Sequence, residues 1–160
     1  MLEYPIGSSG QVVVLPAEVV RKFRRCRQKR WYQREAGGQL FARLSLPRIL
    51  IEEATGPRRT DRRTRTSYLP DRAAEQREID SRHPEGLHYV GDWHTHPEEI
   101  PCPSALDIAS ISDSVRKSTH ALNGFLLVIV GQAEPPSGLL VSVHDGFGSS
   151  AILTARQVDD

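Results

Sequence analysis

Apolar residues fall along the chain in two kinds of run, and their spacing predicts an alternation of strands and helices. Gln11–Leu15 (QVVVL) is short and β-branched and reads as a first strand. Pro16 follows at a first helical position, with Glu18 in the first turn, where a negative charge meets the positive end of the helix. Val19, Val20 and Phe23, extended by Cys26 and Trp31, then form a rough apolar stripe that Gly37-Gly38 breaks. Two strands are expected at Gln39–Leu46 and Arg48–Glu53, with Pro47 in the turn between them. Gly56–Leu69 has no periodicity and is expected to be a mobile, arginine-rich loop. A polar helix over about Asp71–Arg82 is ended by Pro84 and Gly86, and Leu87–His96 reads as a strand. Ile108, Ile111, Ser112 and Val115 recur at helical spacing, so Ser104–Lys117 is predicted to be a helix. Strands at Phe125–Val130, Leu139–His144 and Ala151–Thr154 close the chain. The pattern predicts an α/β (α+β) fold, a mixed central sheet flanked by about three helices, in a single domain spanning 1–160.

Charge is balanced overall, 21 basic against 20 acidic residues, so nothing global draws the chain to nucleic acid or to an anionic membrane. Locally it is uneven. Arg21–Arg34 holds eight basic side chains and no acidic one, and Arg58–Arg65 holds five arginines against Asp61. Each cluster is either a solvated surface or a docking surface for an acidic partner. Two cysteines, Cys26 and Cys102, are too few for a disulfide framework and suit a reducing cytoplasm. The N-terminus lacks the pattern of a secretory signal, and the strongest apolar run, Phe125–Val130, is far short of a membrane span.

The candidate chemistry lies in His94–Asp107, HTHPEEIPCPSALD. Alternate residues of a strand share a face, so His94 and His96 project together, in one row with Asp92 and Val90. Two imidazoles on one strand can give two ligands of a tetrahedral Zn2+ ion. Pro97, Pro101 and Pro103 stiffen the loop that follows and could return Asp107 to the histidines. Two histidines and a carboxylate leave a fourth position for water, the composition of a catalytic zinc site. Other readings stand beside this one. Ser104-Ala-Leu-Asp107 also has the pattern of a helix N-cap with an acid three residues on, and His-x-His can be a plain polar row. His88 and Asp92 are candidate supports for the site, Cys102 is read as a bystander, and Glu98 and Glu99 as exposed acids.

Taken together, His94-x-His96-x(7)-Ser104-x-x-Asp107 resembles the JAMM signature of the JAB/MPN-plus zinc metallopeptidases. These include deubiquitinases of the proteasome-lid and signalosome type and many bacterial relatives. Glu35-Ala36-Gly37-Gly38-Gln39-Leu40-Phe41-Ala42 resembles the family's upstream segment Glu-x-Gly-Gly-x-Leu-x-Gly, with Ala42 in place of the last glycine. The resemblance implies the JAB/MPN (cytidine-deaminase-like) fold and His94, His96 and Asp107 as ligands of one Zn2+. It further implies Glu35 as general base and then general acid, and the Ser104 hydroxyl as an oxyanion donor.

The same resemblance implies cleavage of an isopeptide bond at the C-terminus of a protein whose extended tail lies in a groove. Gly37, Gly38 and an edge strand at Arg43–Leu46 are expected to help hold it. The Gly56–Tyr68 and Asp71–Glu78 segments are similar to those of JAB-domain proteases in bacterial anti-phage CBASS operons. That similarity implies a deconjugase opposing an E1/E2-like conjugating enzyme, with a cGAS-like nucleotidyltransferase as the conjugated protein. Arg58, Arg59, Arg62 and Arg63 are then expected to hold the tail or its acidic carrier. Processing of a sulfur-carrier or another ubiquitin-like protein is the alternative within the family. A nucleic-acid module and an inactive scaffold of the same fold are alternatives of other classes.

Overall fold

The computed structural model describes residues 1–158. In chain order the elements are β1 (Leu2–Pro5), β2 (Val12–Leu15), α1 (Ala17–Cys26), β3 (Gly37–Ser45), β4 (Arg48–Ala54), and the short β5 (Arg62–Arg63) and β6 (Tyr68–Leu69). They continue with α2 (Arg72–Arg82), a single 3-10 turn at His83–Glu85, β7 (His88–Thr95), α3 (Ala105–Lys117), β8 (Phe125–Val130), β9 (Leu139–His144), β10 (Ser150–Leu153) and β11 (Arg156–Gln157). Among the described residues one sheet runs in the order β10-β9-β8-β7-β3-β4-β2-β1-β11. Its β2–β4 and β7–β8 pairs are parallel and the rest antiparallel, so the mixed sheet with three helices is the expected architecture.

Strand β8, FLLVIV, is buried on both faces and divides the core. Leu126, Val128 and Val130 join Val19, Val20 and Phe23 of α1 on one face. Phe125, Leu127 and Ile129 meet Ile111 and Val115 of α3 on the other. Each helix therefore buries the centre of the stripe its spacing predicts, while Ile108 at the start of α3 stays 42% exposed. No helix among the described residues is long and apolar enough to cross a membrane.

The structure departs from the pattern first near the N-terminal half of the sheet. Strand β1 was not anticipated: it is short, interrupted by Glu3, and buries Leu2 and Tyr4 only because β2 and β11 flank it. Helix α1 stops at Cys26 instead of continuing toward Gly37, so Trp31 lies outside the stripe at 81% exposure while Cys26 packs against the core. Gly37 and Gly38 are not helix breakers but the first residues of β3. A Cβ on Gly38 would sit 1.9 Å from the Thr55 carbonyl oxygen, so glycine lets β3 and the Thr55–Gly56 backbone lie side by side.

The arginine-rich segment is tied down where a mobile loop was expected. Asp61 is its knot. Its carboxylate accepts from the backbone N–H groups of Arg58 and Asp71, each at 2.8 Å, and from the Tyr68 hydroxyl at 2.7 Å. Arg58 then clamps Glu78 of α2 through Nε and Nη2, at 2.6 and 2.5 Å. Helix α2 has almost no apolar face and docks through such pairs: Arg82 binds Glu53 with both nitrogens and lies 4.9 Å from the Phe41 ring. Arg58 is therefore committed inside the protein, whereas Arg59 and Arg62 are exposed. Arg58→Ala is expected to lower the unfolding free energy by about 3 kcal/mol, because it strands the half-buried Glu78, while Asp61 keeps its backbone and Tyr68 donors. Arg59→Ala and Arg62→Ala are expected to stay within about 0.5 kcal/mol of wild type in the same urea denaturation.

Candidate active site

The site is set by a bulge in β7. Pairing with β3 runs from Gly37↔His94 to Leu40↔Gly91 and resumes at Phe41↔Tyr89, which leaves Val90 as an extra residue. The bulge corrects the expected row. Val90 packs with Trp93 in the α1-side core, while the Tyr89 hydroxyl donates to Asp92 at 2.8 Å on the opposite face. Past the bulge the alternation is regular, so Asp92, His94 and His96 line one cleft while Trp93 and Thr95 are buried behind them. Gly91 makes this possible: its φ is 151°, and a Cβ there would lie 1.9 Å from the Leu126 carbonyl oxygen of β8. His88 lies before the bulge with its ring 5.8 Å from that of His83, and so does not support the histidine pair.

Beyond β7 the proline loop is anchored on the connection that leaves β8. The Glu98 and Glu99 carbonyls accept from the N–H groups of Gln132 and Ala133, at 2.7 and 3.1 Å. The loop delivers Ser104 to the start of α3, where a complete capping box forms. Ser104 Oγ accepts from the Asp107 N–H at 3.1 Å, and Asp107 Oδ2 accepts from the Ser104 N–H at 2.8 Å. The same carboxylate lies 3.2 Å from His94 Nε2 through Oδ1 and 3.2 Å from His96 Nε2 through Oδ2. Cap and donor cluster are thus one structure: the box holds Asp107 in the rotamer that faces the histidines. Because Ser104 Oγ acts as an acceptor in the cap, its O–H is left to donate into the cleft.

The two Nε2 atoms are 3.1 Å apart. Three lone-pair donors this close repel one another unless a proton or a cation lies between them. Their spacing matches the roughly 3.3 Å edge of a tetrahedron with bonds of about 2.0–2.1 Å, as zinc makes to nitrogen and oxygen. The donor set therefore fits a small divalent cation. Burial alone would lower the His96 pKa, but hydrogen bonds to Asp107 and Glu98 override it and raise it to about 9. Burial would raise the Asp107 pKa, yet the hydrogen bonds from His94 and His96 hold it well below the usual carboxylate range.

Glu98 is the exposed acid that the sequence suggests and lies outside the three converging donors, but its bond to His96 was not foreseen. Its Oε1 lies 2.8 Å from His96 Nδ1, which places the proton on Nδ1 and presents the Nε2 lone pair to the cleft. The spacing of two residues beyond a histidine was the only available signal. Glu98→Ala is expected to weaken metal binding about 10–100-fold, with partial recovery in Glu98→Gln, read by competition with a chromogenic chelator.

Glu35 enters from the connection between α1 and β3. Its side chain is 5% exposed and faces the same cleft, and its carboxyl is pushed up to about 7, chiefly by burial. Its backbone is fixed by the arginine-rich segment: its N–H donates to the Thr64 carbonyl at 2.7 Å, and Arg63 Nε donates to its carbonyl at 2.6 Å. Gln28, wholly buried, joins the pieces. It accepts from Thr95 Oγ1 at 2.8 Å and donates to the Gln33 and Arg65 carbonyls at 3.2 and 2.8 Å. A lone glutamine just after a helix carries no pattern, so the sequence offered no hint of this role.

The cleft that results has a volume of about 400 Å³, and its walls include Glu35, Gly38, Tyr68, Ser104 and Leu106. A sheet strand, a capped helix and a buried carboxyl thus meet around three converging donors. The family of prokaryotic homologs of the JAB domain matches residues 16–142, a stretch that contains every one of these groups. The chain belongs to the prokaryotic JAB family. It is 32% identical over 101 residues to a protein of Escherichia coli (strain TW11681) named CD-NTase/cGAS isopeptidase, covering 61% of this chain and 65% of that one. A protein of the same name from Pseudomonas aeruginosa (strain BWHPSA011 / Pa011) is 32% identical over 125 residues, 75% of each chain. A protein of Sinorhizobium fredii (strain NBRC 101917 / NGR234) named probable metalloprotease y4qB is 38% identical over 72 residues, 42% of this chain and 44% of that one. The aligned part spans just under two thirds of the E. coli relative.

Within this JAB domain the expected site residues divide. His94, His96, Asp107, Ser104 and Glu35 come together at one cleft, and Gly38 lines it beside them. Gly37 pairs with His94 across β3 and β7, and Arg63 acts on the Glu35 backbone. Arg58 is turned inward, and Arg59 and Arg62 point away from the core. Strand β3 is no edge at Gly37–Ala42, because β7 covers one side there; only Arg43–Ser45 lacks a partner on that side. Cys102 is exposed, with its thiol 3.9 Å from the Pro103 carbonyl.

Proposed function

We propose that this JAB domain is a zinc-dependent isopeptidase. It cleaves the bond that follows the C-terminus of a conjugated protein, a cGAS-like nucleotidyltransferase attached to a target in anti-phage defence. The observation that carries this reading is the convergence of His94, His96 and Asp107 with a buried carboxyl, Glu35, on one cleft. The names of the E. coli and P. aeruginosa relatives support the substrate class. Two unpaired cysteines accord with work in a reducing cytoplasm, opposite an E1/E2-like conjugating enzyme.

In this mechanism His94, His96 and Asp107 hold the ion. When bound, zinc supplies Lewis acidity, bringing a water's pKa toward neutrality and polarising a carbonyl. Glu35, with its pKa near the working pH, accepts a proton from the attacking water as the bond from water oxygen to carbonyl carbon forms. Ser104 donates its free O–H to the oxygen that becomes an oxyanion. Glu35 then passes its proton to the leaving lysine amine as the C–N bond breaks. Gly37 and Gly38 act indirectly, letting Tyr68 and the Thr55–Gly56 backbone close against β3 beside the cleft. Arg59 and Arg62, the exposed members of the cluster, contact the tail or its carrier from the rim.

The test is cleavage of a cGAS-like nucleotidyltransferase fused through its C-terminus to green fluorescent protein, with products sized by mass spectrometry. The expected result is a cut directly after the last nucleotidyltransferase residue, abolished by 1,10-phenanthroline and restored by zinc. Cleavage of a sulfur-carrier fusion in its place would keep the enzyme and move the substrate. A folded protein that binds no zinc would sink the reading.

A further inference from the structure

The connection from α1 to β3 displays two aromatic rings to solvent. Phe23, Phe41, Trp93 and Phe125 are at most 1% exposed, but Trp31 is 81% and Tyr32 62% exposed. Their rings meet edge to face, with centroids 5.8 Å apart and planes at 87°. The backbone beneath them is held firmly. Arg30 N–H donates to Gln33 Oε1 at 2.7 Å, Gln33 N–H returns to the Arg30 carbonyl at 3.0 Å, and Arg65 Nη1 reaches the same carbonyl at 2.8 Å. None of these bonds involves a ring, so the turn presents the pair preformed, which lowers the entropy lost on binding.

Lys29, Arg30 and Arg34 flank the rings. Among the described residues none of the three lies within ion-pair distance of a carboxylate, whereas the nearby Arg24 and Arg27 both pair with Glu134. The patch is also continuous with the cleft. Arg65, bonded to Arg30, immediately precedes Thr66 and Ser67 of the cleft wall, and the Glu35 N–H is bonded to the adjoining Thr64.

We propose that Trp31, Tyr32 and the cations around them dock an acidic surface on the folded body of the substrate, while the cleft takes its extended C-terminal tail. This rests on the isopeptidase reading and adds a second point of recognition to it. Trp, Tyr and Arg are the residue types that dominate protein interfaces. An edge-to-face pair offers no parallel platform for successive bases, and the net charge is only +1, so the occupant is a protein and not a nucleic acid.

The decisive comparison uses two probes, the nucleotidyltransferase–green fluorescent protein fusion and a short peptide of the same C-terminal tail joined to a fluorogenic amine. In the double variant Trp31→Ala/Tyr32→Ala, KM for the fusion is expected to rise about 10–30-fold with kcat within about twofold. Peptide turnover is expected to be unchanged. Arg30→Glu/Arg34→Glu should raise the same KM about 10-fold and flatten its salt dependence. An unchanged KM for the fusion overturns the proposal and leaves the isopeptidase reading intact. Equal losses on fusion and peptide also overturn it, since the turn would then only shape the cleft. So does ring-dependent binding of a single-stranded oligonucleotide with fusion kinetics unaltered. If the wild type cleaves neither probe, the isopeptidase reading falls, and binding decides the docking surface. Anisotropy of the labelled nucleotidyltransferase with Glu35→Gln must then weaken about 10-fold on adding the aromatic substitutions. Ring-independent binding, or none, overturns it.

Discussion

Glu35→Gln is expected to lower kcat by about 10²–10⁴-fold while fold and zinc content persist. The amide is nearly isosteric with the carboxyl but cannot take up or release the proton, and Glu35 is not among the three converging donors. The same substitution has a signature in stability. Burial raises the native Glu35 pKa to about 7, above the 4.5 it starts from, so between these values the folded state holds a proton that the unfolded chain releases. That group therefore favours the native state below pH 4.5 and loses its contribution as pH rises toward 7. Glutamine does not titrate. Chelator-treated Glu35→Gln should match wild type near pH 4 and exceed it by about 1–3 kcal/mol at pH 8, after allowing for screening by water in the cleft. Urea denaturation at both pH values checks this. An equal gap at the two would mean that Glu35 is not a buried ionisable group.

The second large effect is expected at Asp107, where two roles can be separated. Asp107→Ala removes both the metal-facing carboxylate and the side-chain half of the capping box, so it should lose zinc and also about 1 kcal/mol of stability. In Asp107→Asn the amide oxygen still accepts the Ser104 N–H, and the cap survives. The negative charge toward His94 and His96 does not. Removing one of three protein ligands should weaken zinc binding on the order of 10²–10³-fold, a fraction of the 10–16 kcal/mol typical of full structural sites. Competition titration against a chelator, with thermal melts of the metal-free variants alongside, gives both readouts. If Asp107→Asn kept wild-type zinc affinity, Asp107 would be a cap residue and no more.

A capping box and a metal-facing Asp107 were compatible readings of Ser104–Asp107, and the structure has the box complete with the Asp107 carboxylate turned to the histidines. Local chemistry offers the serine oxygen to the helix N–H groups and the carboxylate back to the serine; nothing local says which way the second carboxylate oxygen points. That is decided by the end of β7, which the anchored proline loop brings back against the carboxylate. His94 and His96 were legible for a similar reason, because strand alternation depends only on the backbone. Val90 was not, because a bulge is a property of two strands in register and neither strand records it alone.

Charged residues divide along the same line. Arg58, Arg59, Arg62 and Arg63 look alike in sequence, yet one clamps α2, one holds the Glu35 backbone and two face solvent. Their fates depend on where Asp61, Glu78 and Glu35 lie in space, which side-chain type does not encode. Trp31 likewise fits a helical stripe by spacing, and only the early end of α1 puts it outside.

By itself the sequence determined the order of the main strands and helices and most of the residues they bury, and it offered a set of groups whose chemistry suits metal binding and proton transfer. These follow from periodicity and from functional-group chemistry, which act over a few residues. Only the tertiary structure decided that Glu35 meets the histidines, that Glu98 orients His96, and that Gln28 joins the Thr95 strand to the arginine-rich segment. Each of these depends on the strand pairing or on the packing of loops against it, and so on distances that no local pattern carries.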